Sequence, residues 1–112
     1  MYSNREFKYP TEVFWIKASV IDVLEDAEIA QLAGSSITAK DNTGADVSTT
    51  LLDQSTICLA STPDRDDSED TALMIKIRGG SVAKQPYVVS FKVATTGGQL
   101  FLVQQQMTVK SE

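Results

Sequence analysis

An all-β sandwich of about seven antiparallel strands is the fold this sequence predicts. Three observations carry the expectation. Apolar residues alternate with period two in strand-length runs, most cleanly in "ALMIKI" and "YVVSFKV". Turn-forming clusters, among them "DNTG", "RGG" and "TTGG", separate those runs at intervals of roughly ten residues. Helical periodicity is nearly absent, and no internal repeat is visible.

The elements follow in order. Residues 1–11 are polar, contain Pro10, and read as a flexible N-terminal arm or an edge-pairing lead-in; residues 12–110 form a single domain. "TEVFWIKASVID" is rich in β-branched and aromatic types and suits a strand. Trp15, flanked by Val13, Phe14 and Ile16, reads first as a core residue and second as an exposed recognition anchor. "DVLEDAEIAQLAG" is open between two readings. In one, Val20, Leu24, Ala27 and Gln31 line a short helical turn around residues 22–32, capped by Gly34; in the other, a polar turn leads to a strand near Ile29. "DNTG" then predicts a turn between strands Ile37–Lys40 and Val47–Leu52, a hairpin.

"STICLAS" is the next strand, with Cys58 as an inert thiol in an apolar run. "TPDRDDSEDT" is an acidic loop. After it, Leu73, Ile75 and Ile77 face inward while Met74, Lys76 and Arg78 face outward. Gly79 and Gly80 end that strand and let the chain turn. From Tyr87 the alternation resumes, with Tyr87, Val89, Phe91 and Val93 inside and Val88, Ser90, Lys92 and Ala94 outside. Gly97 and Gly98 in "TTGG" supply a tight hairpin where φ becomes positive. The last strand places Phe101, Val103, Met107 and Val109 inside, with Gln105 as an inward exception. Tyr87, entering its strand after a loop, fits the tyrosine corner of immunoglobulin-like sandwiches, its hydroxyl bonded to backbone of that loop.

Composition narrows the function classes. The chain has 112 residues, which suits one domain. Ten basic residues against fifteen acidic ones, net charge −5, supply no broad basic surface for nucleic acid or anionic lipid. The first ten residues hold no apolar core of signal-peptide length, and no run approaches a membrane span. Synthesis in the cytoplasm is the expectation. One cysteine permits no internal disulfide. With no histidine, the commonest general base and the Ser-His-Asp and Cys-His arrangements are missing, and no phosphate-binding glycine motif is present. The expectation is a non-enzyme without a cofactor.

The acidic loop begins like a calcium loop, with acids at Asp64, Asp66, Asp67, Glu69 and Asp70. Glu69 stands where that loop needs glycine, and Ile75 stands where it needs a bidentate glutamate. These five acids read instead as a solvated loop able to meet a basic partner.

Several segments together resemble the small immunoglobulin-like structural proteins of tailed bacteriophages and prophages, of the fibre–tail adaptor type. They are "KYPTEV" near the start, then Asp22, Leu24, Glu28 and Ile29, then Gly44 and Asp46 in "GADVS", and above all "IKIRGGSVAKQPYVVSFKVATTGGQLF". The resemblance covers most of the chain. It departs at Lys84, at Pro86 directly before Tyr87, and in the long acidic insertion. It implies a structural adaptor located in a virion, with other tail or fibre proteins and copies of itself as partners, and it offers no catalytic residue to carry over. The alternative is a carbohydrate- or surface-binding β-sandwich, which calls for exposed aromatics; Tyr2, Phe7 and Tyr9 near the start are the candidates.

Overall fold

A computed structural model describes residues 5–20, 23–25, 28–60 and 71–111. Among the described residues seven strands run in order: β1 (Phe7–Lys8), β2 (Phe14–Ser19), β3 (Ala30–Lys40), β4 (Leu52–Ala60), β5 (Ala72–Ile77), β6 (Tyr87–Thr95) and β7 (Leu100–Val109). A one-turn helix, α1 (Ser48–Leu51), precedes β4, and a 3-10 turn spans Val82–Lys84. One sheet has the order β1-β7-β6-β3 and the other β2-β5-β4. Lettering β2 to β7 as B to G gives sheets BED and CFG, the immunoglobulin-type order. All pairings are antiparallel except β1 with β7, which is parallel.

Period-two alternation builds the core between the sheets. Ile16, Leu73, Ile75 and Ile77 from one sheet meet Ile37, Val89, Phe91, Val93 and Met107 from the other, all at most 2% exposed. Leu51 and Leu52 close one end. The alternation of β5, β6 and β7 follows the sequence pattern, with one correction: Ala94, expected outside, is buried. Between Gln31 and Ser36 the register of β3 against β6 shifts, and Gly34 in that bulge brings its backbone over Ala94. Ser35 repairs the interrupted ladder: its hydroxyl donates to Gln31 O at 2.6 Å and accepts from Ala94 N at 2.8 Å.

Among the described residues, the helical reading of residues 22–32 survives only as a 3-10 turn at Val23, whose amide donates to Val20 O at 3.1 Å. Ala30 to Leu32 are already strand, and Gly34 lies in the bulge with φ +83°. Residues 21, 22, 26 and 27 lie outside the described residues. The predicted hairpin across "DNTG" is also corrected. The turn forms, with Asp41 Oδ1 accepting from Thr43 N (2.9 Å), Thr43 Oγ1 (2.6 Å) and Ala45 N (3.1 Å). One antiparallel bridge, Lys40 to Asp46, closes it, with Val47 N donating to Ala39 O at 2.9 Å; beyond that bridge the flanks part because β3 and β4 belong to different sheets. The chain crosses between them through α1, where Asp46 Oδ1 takes both Ser48 N (2.9 Å) and Ser48 Oγ (2.6 Å), and Leu51 turns into the core. Tertiary demand overrides the strand preference of Thr49 and Thr50 here.

Residues 5–11 take the edge-pairing form rather than that of a flexible arm. β1 lies along the end of β7, with Thr108 N donating to Glu6 O and Lys110 N to Lys8 O, both at 2.9 Å. Lys8 is fully buried, and its ammonium donates to the carbonyls of Gly79 (2.6 Å), Tyr9 (2.8 Å) and Pro10 (3.4 Å). At the same end, Ser81 N donates to Tyr87 Oη at 2.9 Å, the tyrosine-corner bond. Tyr87→Phe removes that acceptor from the Ser81 amide; a loss of about 1 kcal/mol is expected in thermal unfolding, with faster hydrogen exchange at Ser81. Unchanged stability and exchange would dismiss the bond as a contributor.

Candidate interaction surface

Two opposite ends of the sandwich hold the residues singled out from sequence. Gly79 and Gly80, with φ of +59° and +92°, make the turn that receives Lys8 and leads to Tyr87. Gly97 and Gly98 lie in the β6–β7 hairpin at the other end. Their reasons differ. Gly98 has φ +82° and open space around it. Gly97 does not have positive φ; a Cβ there would lie 2.5 Å from Glu28 Oε2. The acidic group Asp64, Asp66, Asp67, Glu69 and Asp70 lies outside the described residues.

Glu28 is the structural feature of the hairpin end that sequence reasoning missed. Its side chain is buried beneath the hairpin, where the carboxylate accepts from Glu25 N (2.9 Å), from Gln99 Nε2 (2.8 and 3.0 Å) and from the Thr95 hydroxyl. These donors, the Glu25 amide foremost, hold its pKa below the ordinary glutamate value. Such a depressed pKa contributes stability above the unfolded value, and that stability is lost as pH falls through the folded one. Glu28→Gln is therefore expected to lower Tm at pH 7, with the gap from the native chain closing as pH falls from about 5 to 3. A gap independent of pH would rule out the charged form as the stabilising species. A carboxylate whose side-chain partners, Thr95 and Gln99, lie 67 and 71 residues further along the chain carries no local sequence signature.

The outer faces of the sheets present the surface available to partners. On sheet BED, Trp15 is 39% exposed and its ring lies against Lys76 Nζ, 5.3 Å from the centroid. The core reading of Trp15 is thus corrected. Phe14, Ile16 and Ala18 take the inner positions, so alternation sends Trp15 outward with Lys17. Cys58 is half-buried on β4.

On sheet CFG, β7 presents Leu100 (60% exposed) and Leu102 (58%) side by side, followed by Gln104 and Gln106. Ala94 and Lys92 of β6 are their cross-strand neighbours. Where β1 begins, a polar cleft of about 240 Å³ opens between the two strands, lined by Glu6, Gln104, Gln105, Gln106 and Thr108. Gln105 is half-buried at its margin, and its Nε2 donates to Arg5 O at 2.8 Å.

Of the aromatics that the sugar-binding reading wants exposed, Tyr9 lines a cleft of about 340 Å³ with Thr11, Glu12 and Ser111, and it packs against Phe7. Their rings pack edge to face at 6.1 Å, and Phe7 is flanked by Arg5 (4.8 Å) and Lys110 (4.1 Å). Arg5 also covers Phe14 and forms a bidentate pair with Glu12 at 2.8 and 3.1 Å. That pair, with Tyr9 N donating to the same carboxylate, holds the Glu12 pKa down to about 2. Tyr2 lies outside the described residues.

Among the described residues, no group of three or more His, Cys, Asp or Glu side chains is placed to hold a metal ion, and no helix is long and apolar enough to cross a membrane. The remaining acids with lowered pKa are tied into local turns: Asp41 by Thr43, Asp46 by Ser48 and Asp53 by Ser55. No protein-family model matches the chain, and no curated protein matches it.

Proposed function

We propose that this chain is a non-enzymatic structural or adaptor protein of a phage or prophage virion, at a tail or fibre attachment, acting through protein–protein contacts. The observation that carries the contact-based reading is the pair Leu100 and Leu102, adjacent and more than half exposed on a strand whose outer face bears no charge from Leu100 to Gln106. An apolar strip of this kind favours a covering partner. The virion assignment rests on the resemblance of residues 75–101 and the segments before them to phage adaptor proteins. It is tested by mass spectrometry of purified particles released from the bacterium that carries the gene. Recovery of the chain in stoichiometric amount supports the assignment; its absence from intact particles overturns it.

A second reading has its own observation. The cleft lined by Glu6, Gln104, Gln106 and Thr108 offers a carboxylate, amides and a hydroxyl, groups that suit the hydroxyls of a carbohydrate. Titration with oligosaccharides, following the side-chain amide resonances of Gln104 and Gln106, separates this reading from the first. Saturable shifts would favour it, and their absence would remove it.

A further inference from the structure

The charge of this chain is divided between its surfaces. Alternation sets the outer face of sheet BED: Trp15 and Lys17 on β2, Met74 and Lys76 on β5 with Arg78 just beyond it, and Asp53 and Cys58 on β4. Three of these side chains are cationic and one is acidic, on a chain whose formal charge is −5. Asp53 is already paired, with Arg78 Nη1 3.8 Å from its carboxylate. Lys76 instead lies over the exposed Trp15 ring, its Nζ 5.3 Å from the centroid. Val13, in step with Trp15 just before the strand, is 60% exposed. An aromatic anchor rimmed by cations, with aliphatic surface beside it, suits an acidic segment of a protein.

The chain itself carries such a segment. "DRDDSED", residues 64–70, holds five acids against Arg65, a net charge of −4. It joins β4 to β5, so it is rooted at the end of the sheet where Ala60 pairs with Ala72. Those roots are fixed: Thr71 is fully buried, its amide donating to Ala60 O at 3.0 Å and its carbonyl accepting from Val20 N at 2.9 Å. The row of Trp15 and Lys76 lies four residues along β5 from Ala72, about 13 Å away. Within one copy, the segment meets that row only by reversing over Met74 and Cys58. A second copy can bring its face up to the end of the sheet without that reversal.

We infer that the acidic segment 64–70 of one copy docks on the Trp15–Lys76–Arg78 face of a second copy. The contact joins an end to a face, two different surfaces, so it is heterologous and can run from copy to copy or close in a ring. Charge complementarity carries the choice of occupant. Subtracting the segment's −4 from the chain's −5 leaves the rest of the chain at −1, so the segment meets little opposing charge outside its own kind. A protein segment is favoured over nucleic acid because three cations are few for a phosphate backbone and stand among the apolar Val13, Trp15 and Met74. The inference uses the face of the sandwich opposite the Leu100–Leu102 strip and does not depend on that strip.

Trp15 is the single tryptophan of the chain, so its emission reports on this face directly. The test follows that emission and the sedimentation velocity of the full chain from about 1 µM to about 1 mM, the range for a small interface, in low salt and in about 0.5 M NaCl. The expected result is a mass that grows with concentration, a blue shift of Trp15 emission in step with it, and association about tenfold weaker in high salt, as screening of a few exposed ion pairs requires. Two double variants complete the test. Trp15→Thr with Lys76→Gln removes the face, and Asp66→Lys with Asp67→Lys inverts the segment. Each is expected to stay monomeric alone. Their equimolar mixture, in which the first supplies the native segment and the second the native face, is expected to associate and to shift the emission of the remaining Trp15. Four outcomes would each overturn the inference: a native chain that stays monomeric, even one whose Trp15 responds to an added oligonucleotide; a blue shift independent of concentration, which would mean contact within one copy; association indifferent to salt; and a mixture that stays monomeric. None of these outcomes bears on recovery of the chain from particles, so the two readings fail separately.

Discussion

Replacing Lys8 with alanine is expected to lower the unfolding free energy by about 2–4 kcal/mol, a loss in the range of buried-network deletions. The side chain is fully buried and its ammonium joins three carbonyls from two parts of the chain, Tyr9 and Pro10 beside it and Gly79 across the fold. Alanine leaves the volume of the stem empty and the Gly79 carbonyl without its donor. Lys8→Met refills the volume but not the hydrogen bonds, so it should recover part of the loss. Urea unfolding of the three proteins at pH 7 measures both terms. A native-like alanine variant would show that β1 is not anchored through this residue.

The ionisation of Lys8 adds a sign that can be checked. Burial lowers its pKa from the ordinary 10.5. Between the folded and unfolded values the unfolded chain binds more protons, so the contribution of this group to stability rises with pH there. The Met variant should lack that component.

Gly80→Ala is expected to cost about 2–4 kcal/mol, combining backbone strain with overpacking. Its φ is +92°, and a Cβ would lie 3.1 Å from Val109 Cγ2, 3.3 Å from Leu51 Cδ1 and 3.5 Å from the Tyr87 ring. All three neighbours are core residues on separate elements, and none is a flexible surface chain that can swing aside. Gly98→Ala is the matched control: φ is +82°, but nothing lies within 4 Å of the added atom. It should cost about 1 kcal/mol, from strain alone. Equal losses at the two positions would mean that the packing around Gly80 yields freely, and the closure of that end of the sandwich would need a different account.

Local pattern was enough for the parts of this protein in which each residue answers to its immediate neighbours. Alternation placed Leu73, Ile75, Ile77, Val89, Phe91 and Val93 in the core, and "DNTG" and "TTGG" formed turns. The position of Tyr87 at the start of its strand sufficed to place its hydroxyl on the preceding loop.

Tertiary structure decided what depends on distant partners. Lys8 is buried where its ammonium meets the Gly79 carbonyl, seventy-one residues away, and nothing in "FKYP" announces that. Glu28 is buried because Thr95 and Gln99 surround it from a hairpin far along the chain. Residues 48–51 became helical because β3 and β4 belong to different sheets, a fact of topology invisible to propensity. The strip that meets a partner in our proposal was implied in the sequence only as the positions alternating with Phe101 and Val103. Leu100 and Leu102 are exposed because the pairing of β7 with β6 turns Phe101 and Val103 toward the core and leaves the two leucines on the outer face, which only the assembled sheet decides.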